Sequence, residues 1–221
     1  MAMQFALPLI LPDQPSLSNF IQAGNQEAVA QCLCIAQGQF EHTALYLWGA
    51  AGSGKTHLLQ GLSHVQNAQW IDLENEAQVA EIYVIDDVHL LDLSQQKRLF
   101  HLYNRVRAQS AIIVLAASCS PAQLPADFLP DLKTRLGWDL VYQLHVLTDD
   151  DKAQVLLEQA EQRGLTLGAG VVAYMLRHLT RDLSQLHRFL HSLDEYSLQK
   201  QRAITLPLLK EWLEYDHHRT F

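Results

Sequence analysis

Positive charge is what this chain has least of among its ionic groups. Sixteen Lys and Arg stand against 24 Asp and Glu in 221 residues, a formal net charge of −8 with a pI near 5.7. Non-specific nucleic-acid binding depends on Lys and Arg displacing counterions from phosphates, so this balance excludes a surface built to coat DNA. A role on DNA is expected to run through a partner, with no sequence-specific DNA contact. Cysteine is also scarce. Cys32, Cys34 and Cys119 make neither an even disulfide framework nor a paired C-x-x-C metal site, and a reducing, cytoplasmic setting is the expectation. No apolar run approaches the roughly 20 residues of a membrane helix, so no membrane partner is expected. The apolar start, Met1 to Leu11, carries no basic residue and is broken by Pro8, which makes it a poor signal peptide. Eleven histidines are scattered without H-E-x-x-H or similar ligand spacing, and there is no internal repeat or low-complexity tract.

What is present centres on Gly49 to Thr56, which has the P-loop form G-x-x-x-x-G-K-[ST]. The apolar run Ala44 to Trp48 before it suits a buried strand, and His57 to Val65 after it suits a helix. Gly49, Gly52 and Gly54 let the backbone turn tightly and aim N–H groups, including that of Ser53, at one point near a helix N-terminus, where phosphate oxygens are favoured. Lys55 would reach the β- and γ-phosphates of ADP or ATP, and Thr56 would hold Mg2+.

A second strand is expected at Gln69 to Leu73. Glu81 to Asp87 then reads as a continuously apolar strand ending in two carboxylates, the Walker B form. In a parallel sheet covered on both faces, acids at a strand's C-terminal end sit at the ligand crevice. Asp86 would fix Mg2+ and Asp87 would act as general base. A helix from Ser94 to Arg107 and a strand from Ile112 to Ala117 follow. Ser118, at that strand's end, either faces the γ-phosphate region or serves a turn. A short helical turn through Lys133 to Trp138 and a strand near Leu140 to Leu144 complete the pattern. Alternation of this kind predicts an α/β fold, a parallel five-stranded sheet with flanking helices.

Past Leu147 the strand signal stops. Three or four helices are expected, at Asp149 to Arg163, Gly170 to Leu179, Asp182 to Leu198 and Pro207 to Tyr215, forming a small helical lid. The start differs from both parts. Pro8 forces Leu7 to be extended, and Gln4, Phe5, Leu7 and Leu9 place an amide and alternating apolar groups along an extended peptide. Such a peptide fits a hydrophobic cleft on another protein, packs on its own domain, or is a disordered terminal segment. The expected organisation is a tail at 1–15, a nucleotide-binding α/β domain at 16–147, a lid at 148–216 and a short tail at 217–221.

These blocks, together with Leu17-Ser18-Asn19-Phe20, Thr134 to Trp138 and Leu179 to Leu186, resemble the AAA+ P-loop NTPase module of the bacterial replication initiator DnaA. The resemblance extends to the DnaA-like regulators of initiation. It implies that Phe20 and Ile21 line the adenine pocket, with His57 beside the P-loop. It implies that Ser118 is sensor 1 and that Arg135 is an arginine finger completing a neighbour's site in trans. It implies that the tail, Gln4, Phe5, Leu7, Pro8 and Leu9, binds the sliding clamp of DNA polymerase, and that the DnaA initiator is the target. The initiator's sensor 2 arginine falls at Ser184 here, and Arg181 lies one turn earlier on the same face as a substitute. Slow intrinsic ATP hydrolysis is therefore expected. So is the absence of both the initiator's helix-turn-helix domain and its single-strand-binding helices, and a homodimer is compatible with the pattern. The rival readings are a helicase loader of the same superfamily and a stand-alone P-loop phosphotransferase.

Overall fold

Five short apolar segments become strands, and all pair in parallel. The computed structural model describes residues 14–75, 78–179 and 183–217. In chain order the elements of the first part are α1 (Gln26–Ala36), β1 (Ala44–Trp48), α2 (Lys55–Ser63), β2 (Ala68–Trp70), β3 (Ile82–Ile85), α3 (Leu93–Ala108), β4 (Ile112–Ala117), α4 (Pro130–Leu136) and β5 (Leu140–Gln143). The sheet order is β2-β3-β4-β1-β5, which puts β1 between β4 and β5. Short 3-10 turns at Leu17–Asn19, Val88–Leu90 and Pro121–Gln123 were not foreseen from the sequence.

Strand periodicity sorts the core into two layers. Tyr46, Tyr83, Ile113 and Leu115 pack with α3 and α4, while Leu45, Leu47, Val84 and Val114 pack with α1 and α2. With both faces covered, the strands need unbroken apolar runs, which is why they read so plainly. Cys32 belongs to the second layer. Burial pushes its thiol up to about 12, so it acts as a small apolar residue. The two ends of this part are clasped by buried Asn25, whose Nδ2 donates to the His145 carbonyl (3.0 Å) and whose Oδ1 accepts from the His145 N–H (2.8 Å).

Of the boundaries that differ from expectation, two have plain local reasons. β2 stops at Trp70 because Asp72 diverts the chain, its carboxylate accepting from the Glu74 N–H (3.1 Å) and its carbonyl from the Asn75 N–H (3.2 Å). Helix α4 begins at Pro130 rather than Lys133, since a proline at the first helical position has a suitable φ and no N–H to leave unpaired.

The chain divides into two units after Val146. The second holds α5 (Asp149–Gln162), α6 (Val171–His178), α7 (Leu183–Lys200) and α8 (Leu206–His217) around Leu156, Met175, Leu190, Leu193, Leu208 and Trp212. Thr148 starts α5 with a reciprocal capping box to Asp151. Among the described residues no helix is long and apolar enough to cross a membrane.

One close approach ties the segment before α1 to α2. A Cβ built on Gly61 would lie 2.8 Å from the Leu17 backbone nitrogen and 3.0 Å from the Ser16 carbonyl carbon. Glycine alone lets the strap of residues 16–20 lie against the helix. Gly61→Val is expected to destabilise the protein by about 1–3 kcal/mol through overpacking. Urea unfolding checks this, and an unchanged midpoint would show that the strap is not packed there.

Candidate functional site

The P-loop emerges from β1, where neighbouring strands fix both of its flanks. The Gly49 N–H donates to the Ala117 carbonyl (3.2 Å), and the Trp48 carbonyl accepts from the Leu144 N–H (2.6 Å). A Cβ on Gly49 would fall 2.3 Å from the Leu144 carbonyl oxygen, so no side chain fits where the loop leaves the sheet. Gly52 and Gly54 both adopt positive φ (79° and 93°), the conformation that glycine permits. Helix α2 starts at Lys55, two residues before the expected His57, so its N-terminal N–H groups open directly onto the loop.

Lys55 is buried at 9% exposure, and its Nζ donates to the carbonyls of Gly49 (2.8 Å) and Ala50 (3.0 Å). No carboxylate among the described residues pairs with it. A buried cation satisfied only by carbonyls retains charge for an anion. Ser53 is buried too, and its Oγ has no hydrogen-bond partner. Unmatched positive charge, an orphaned hydroxyl and a glycine cradle at a helix N-terminus together fit a polyphosphate.

The Walker B acids close the other side. Thr56 Oγ1 donates to Asp86 Oδ2 at 2.6 Å, which brings together two oxygen donors suited to Mg2+. Asp86 Oδ1 accepts from the Asp87 N–H (2.8 Å). Asp87 is exposed and left-handed (φ 51°), a backbone state that Asp tolerates better than most residues. Ser118 is exposed at the end of β4, and its N–H donates to His89 Nδ1 (3.3 Å). The hydroxyl is therefore not needed for that turn contact.

The strap supplies a third wall. A Cβ on Gly54 would meet the Phe20 ring at 2.5 Å, so the ring lies directly on the loop. His57 holds the strap: its Nε2 lies 3.0 Å from the Ser16 carbonyl and 2.8 Å from Asn19 Oδ1, and its ring stands edge-on to Phe20 at 5.4 Å. Both partners are acceptors, which fixes the proton on Nε2. Ile21 is half-buried at the strap's end.

Arg135 is half-buried at the end of α4, away from any carboxylate partner among the described residues. Its Nη1 donates to Asn104 Oδ1, and its guanidinium lies 4.5 Å from the Phe100 ring centroid and 5.3 Å from that of Trp138. Arg107 also approaches Trp138, its guanidinium 5.1 Å from the ring centroid. Phe100, Asn104, Trp138, His89 and Asn19 carry no site role in the sequence reading. The i, i+4 spacing of Phe100 and Asn104 puts both on one face of α3, a signal that could have flagged them had α4 been placed opposite. Gln4, Phe5, Leu7, Pro8, Leu9 and Arg181 lie outside the described residues. Ser184 lies within α7.

Comparison with known proteins assigns both units. Residues 149–213 match the family model described as the Hda lid domain, and residues 62–143 match that of the bacterial DnaA ATPase domain. The chain belongs to the Hda-like, DnaA-related AAA+ proteins. It is 33% identical over 229 residues to an uncharacterized protein of Haemophilus influenzae, covering 95% of this chain and 98% of that one. The fold is similar to that of domain III of the Thermotoga maritima replication initiation protein DnaA (TM-score 0.71, 23% identity, 92% of this chain and 97% of that one). It is also similar to AMPPCP-bound DnaA from Aquifex aeolicus (TM-score 0.69, 20% identity, 84% and 66%).

Burial pushes His57 below the ordinary imidazole pKa, against a smaller opposite effect of its bond to Ser16. The unfolded chain therefore binds more protons than the folded one as pH falls below about 6.5. His57 contributes stability above that pH and loses it as pH drops toward its lower folded value. His57→Gln should flatten this acid dependence, measured by denaturation midpoints at about pH 7.5 and 5.5. Equal acid sensitivity in both proteins would rule out His57 as the cause.

Proposed function

We propose that this chain is a nucleotide-bound AAA+ regulator of replication initiation. In this reading, Gln4, Phe5, Leu7, Pro8 and Leu9 tether it to the DNA-loaded sliding clamp. It then promotes ATP hydrolysis by the DnaA initiator, with Arg135 entering the initiator's nucleotide site. Membership of the Hda-like family supports the class of function. The observation that carries the mechanism is the setting of Arg135, a guanidinium oriented by Asn104, Phe100 and Trp138 and salt-bridged to no carboxylate among the described residues. An arginine offered to a transferring phosphoryl group must be oriented yet un-neutralised, since it acts by stabilising charge in the transition state.

In the chain's own site, ADP or ATP would lie along the P-loop. Gly49, Gly52, Ser53, Gly54 and Lys55 would contact its phosphates, with Phe20, Ile21 and His57 on the side of the base. Thr56 and Asp86 would hold Mg2+, which when bound neutralises phosphate charge. Asp87 would take the proton of an attacking water, and Ser118 would report on the terminal phosphate. Arg181 is the candidate for the sensor 2 role that Ser184 cannot fill. Without a firm lid arginine, turnover in this site is slow, and the bound nucleotide serves as a conformational element. The helicase-loader reading lacks a use for the tail, and the phosphotransferase reading lacks a basic acceptor site.

The test uses purified initiator, clamp loaded on DNA, and three forms of this protein. Arg135→Ala should retain clamp binding but lose about 10³-fold of its stimulation of initiator ATPase. Gln4→Ala with Leu7→Ala should abolish clamp pull-down and leave nucleotide binding intact. Full stimulation by Arg135→Ala would sink the mechanism, and clamp binding that survives the tail substitutions would remove the tether.

A further inference from the structure

We infer that the outward face of α3 is a docking surface for the phosphate backbone of duplex DNA, used without regard to sequence. The acidic net charge conceals how the cations are placed. Residues 1–146 contain seven Lys and Arg against thirteen Asp and Glu. Six of the seven lie on two helices: Lys97, Arg98, Arg105 and Arg107 on α3, Lys133 and Arg135 on α4. Between Asp92 and Asp127 there is no acidic residue at all.

Helical geometry gathers part of this set. At 3.6 residues per turn, Ser94, Lys97, Arg98, His101 and Arg105 fall within a stripe about 100° wide. Lys97, Arg98 and His101 are exposed and Arg105 is half-buried. Lys97, His101 and Arg105 follow one another at i, i+4 and i+8, a ladder about 12 Å long. Beside it, a cleft of about 470 Å³ separates the stripe from the turn at residues 73–75. Arg98 spans the cleft's edge, its Nη1 donating to the carbonyls of Leu73 (2.6 Å) and Glu74 (2.7 Å). Those bonds hold the guanidinium in place without neutralising it.

The character of the stripe selects the occupant. Its charges are strung along the helix instead of converging on one point, which suits a linear polyanion better than a small phosphate compound. Protein interfaces are built on apolar and aromatic anchors, and along this stripe only Leu93, in the first turn of α3, exposes a large apolar side chain. Single-stranded nucleic acid is held by aromatic stacking platforms. The aromatic residues of α3, Phe100 and Tyr103, are half-buried beneath Arg135 and fully buried, respectively. A polar, cationic ladder matches the backbone of a duplex. Glu74, the one carboxylate among the described residues that line the cleft, keeps the affinity low. The inference does not depend on the clamp tether or on Arg135, although a protein held at loaded DNA would have such a duplex at hand.

The test is fluorescence anisotropy of the full chain with a labelled duplex, without clamp, as salt is raised from low concentration. Wild type should bind at low salt, with log affinity falling against log salt at a slope of about −2 to −3, near 0.9 per phosphate contacted. Lys97→Glu with His101→Glu should weaken binding about 10-fold or more and shallow the slope. Lys210→Glu with Gln199→Glu, an equal charge change on exposed positions of the second unit, should stay within about 2-fold of wild type. Should the first variant melt early, Lys97→Gln alone should reduce the slope by about one. No binding by wild type, equal losses in the two charge variants, or tighter binding to a single strand of the same length would each overturn the inference.

Discussion

Everything at the nucleotide end of this protein depends on how closely backbone approaches backbone at Gly49. There β1 has run out of paired residues, yet both neighbouring strands still hold it: Ala117 accepts from its N–H, and the Leu144 carbonyl stands where a Cβ would be. The loop therefore leaves the sheet at a fixed point and in a fixed direction. Lys55, Thr56 and the start of α2 inherit their positions from that point, and Asp86, the first residue past β3, accepts from Thr56 there.

A second constraint is the strap. Residues 16–20 have little regular structure of their own, one 3-10 turn with a reciprocal Ser16–Asn19 capping box. They are placed by three contacts to α2 and the loop before it, through Gly61, His57 and Gly54. Two of those three are glycines whose missing Cβ is the contact. The tail that precedes residue 16 is thus joined to the protein at a segment that shares a wall with the phosphate loop.

Some of this was legible in the sequence and some was not, for physical reasons. β1 and β4 were placed to the residue, because strands covered on both faces need uninterrupted apolar runs. The P-loop and the paired acids were legible because their chemistry demands particular residues at fixed spacing. The end of β2 was misjudged because Ile71 and Leu73 are buried yet not in the strand, so hydrophobicity continued past the point where Asp72 turned the chain. The bond of Asn25 to His145 spans 120 positions and joins two unremarkable residues; nothing local announces it. The neighbours of Arg135 were hidden for the same reason. They belong to a helix brought alongside only by folding, whereas the arginine itself was noticed through the short block around it.

The way Arg135 is held has an energetic corollary. A guanidinium resting on aromatic faces and one amide oxygen has been oriented without being discharged. Had a carboxylate done the orienting, an incoming anion would first have to compete for the cation, and the exchange of one ion pair for another would yield little. Here the contacts that aim the side chain come from quadrupoles and a dipole, which leave its long-range field intact. In the proposed engagement, the electrostatic attraction would be felt before contact is made.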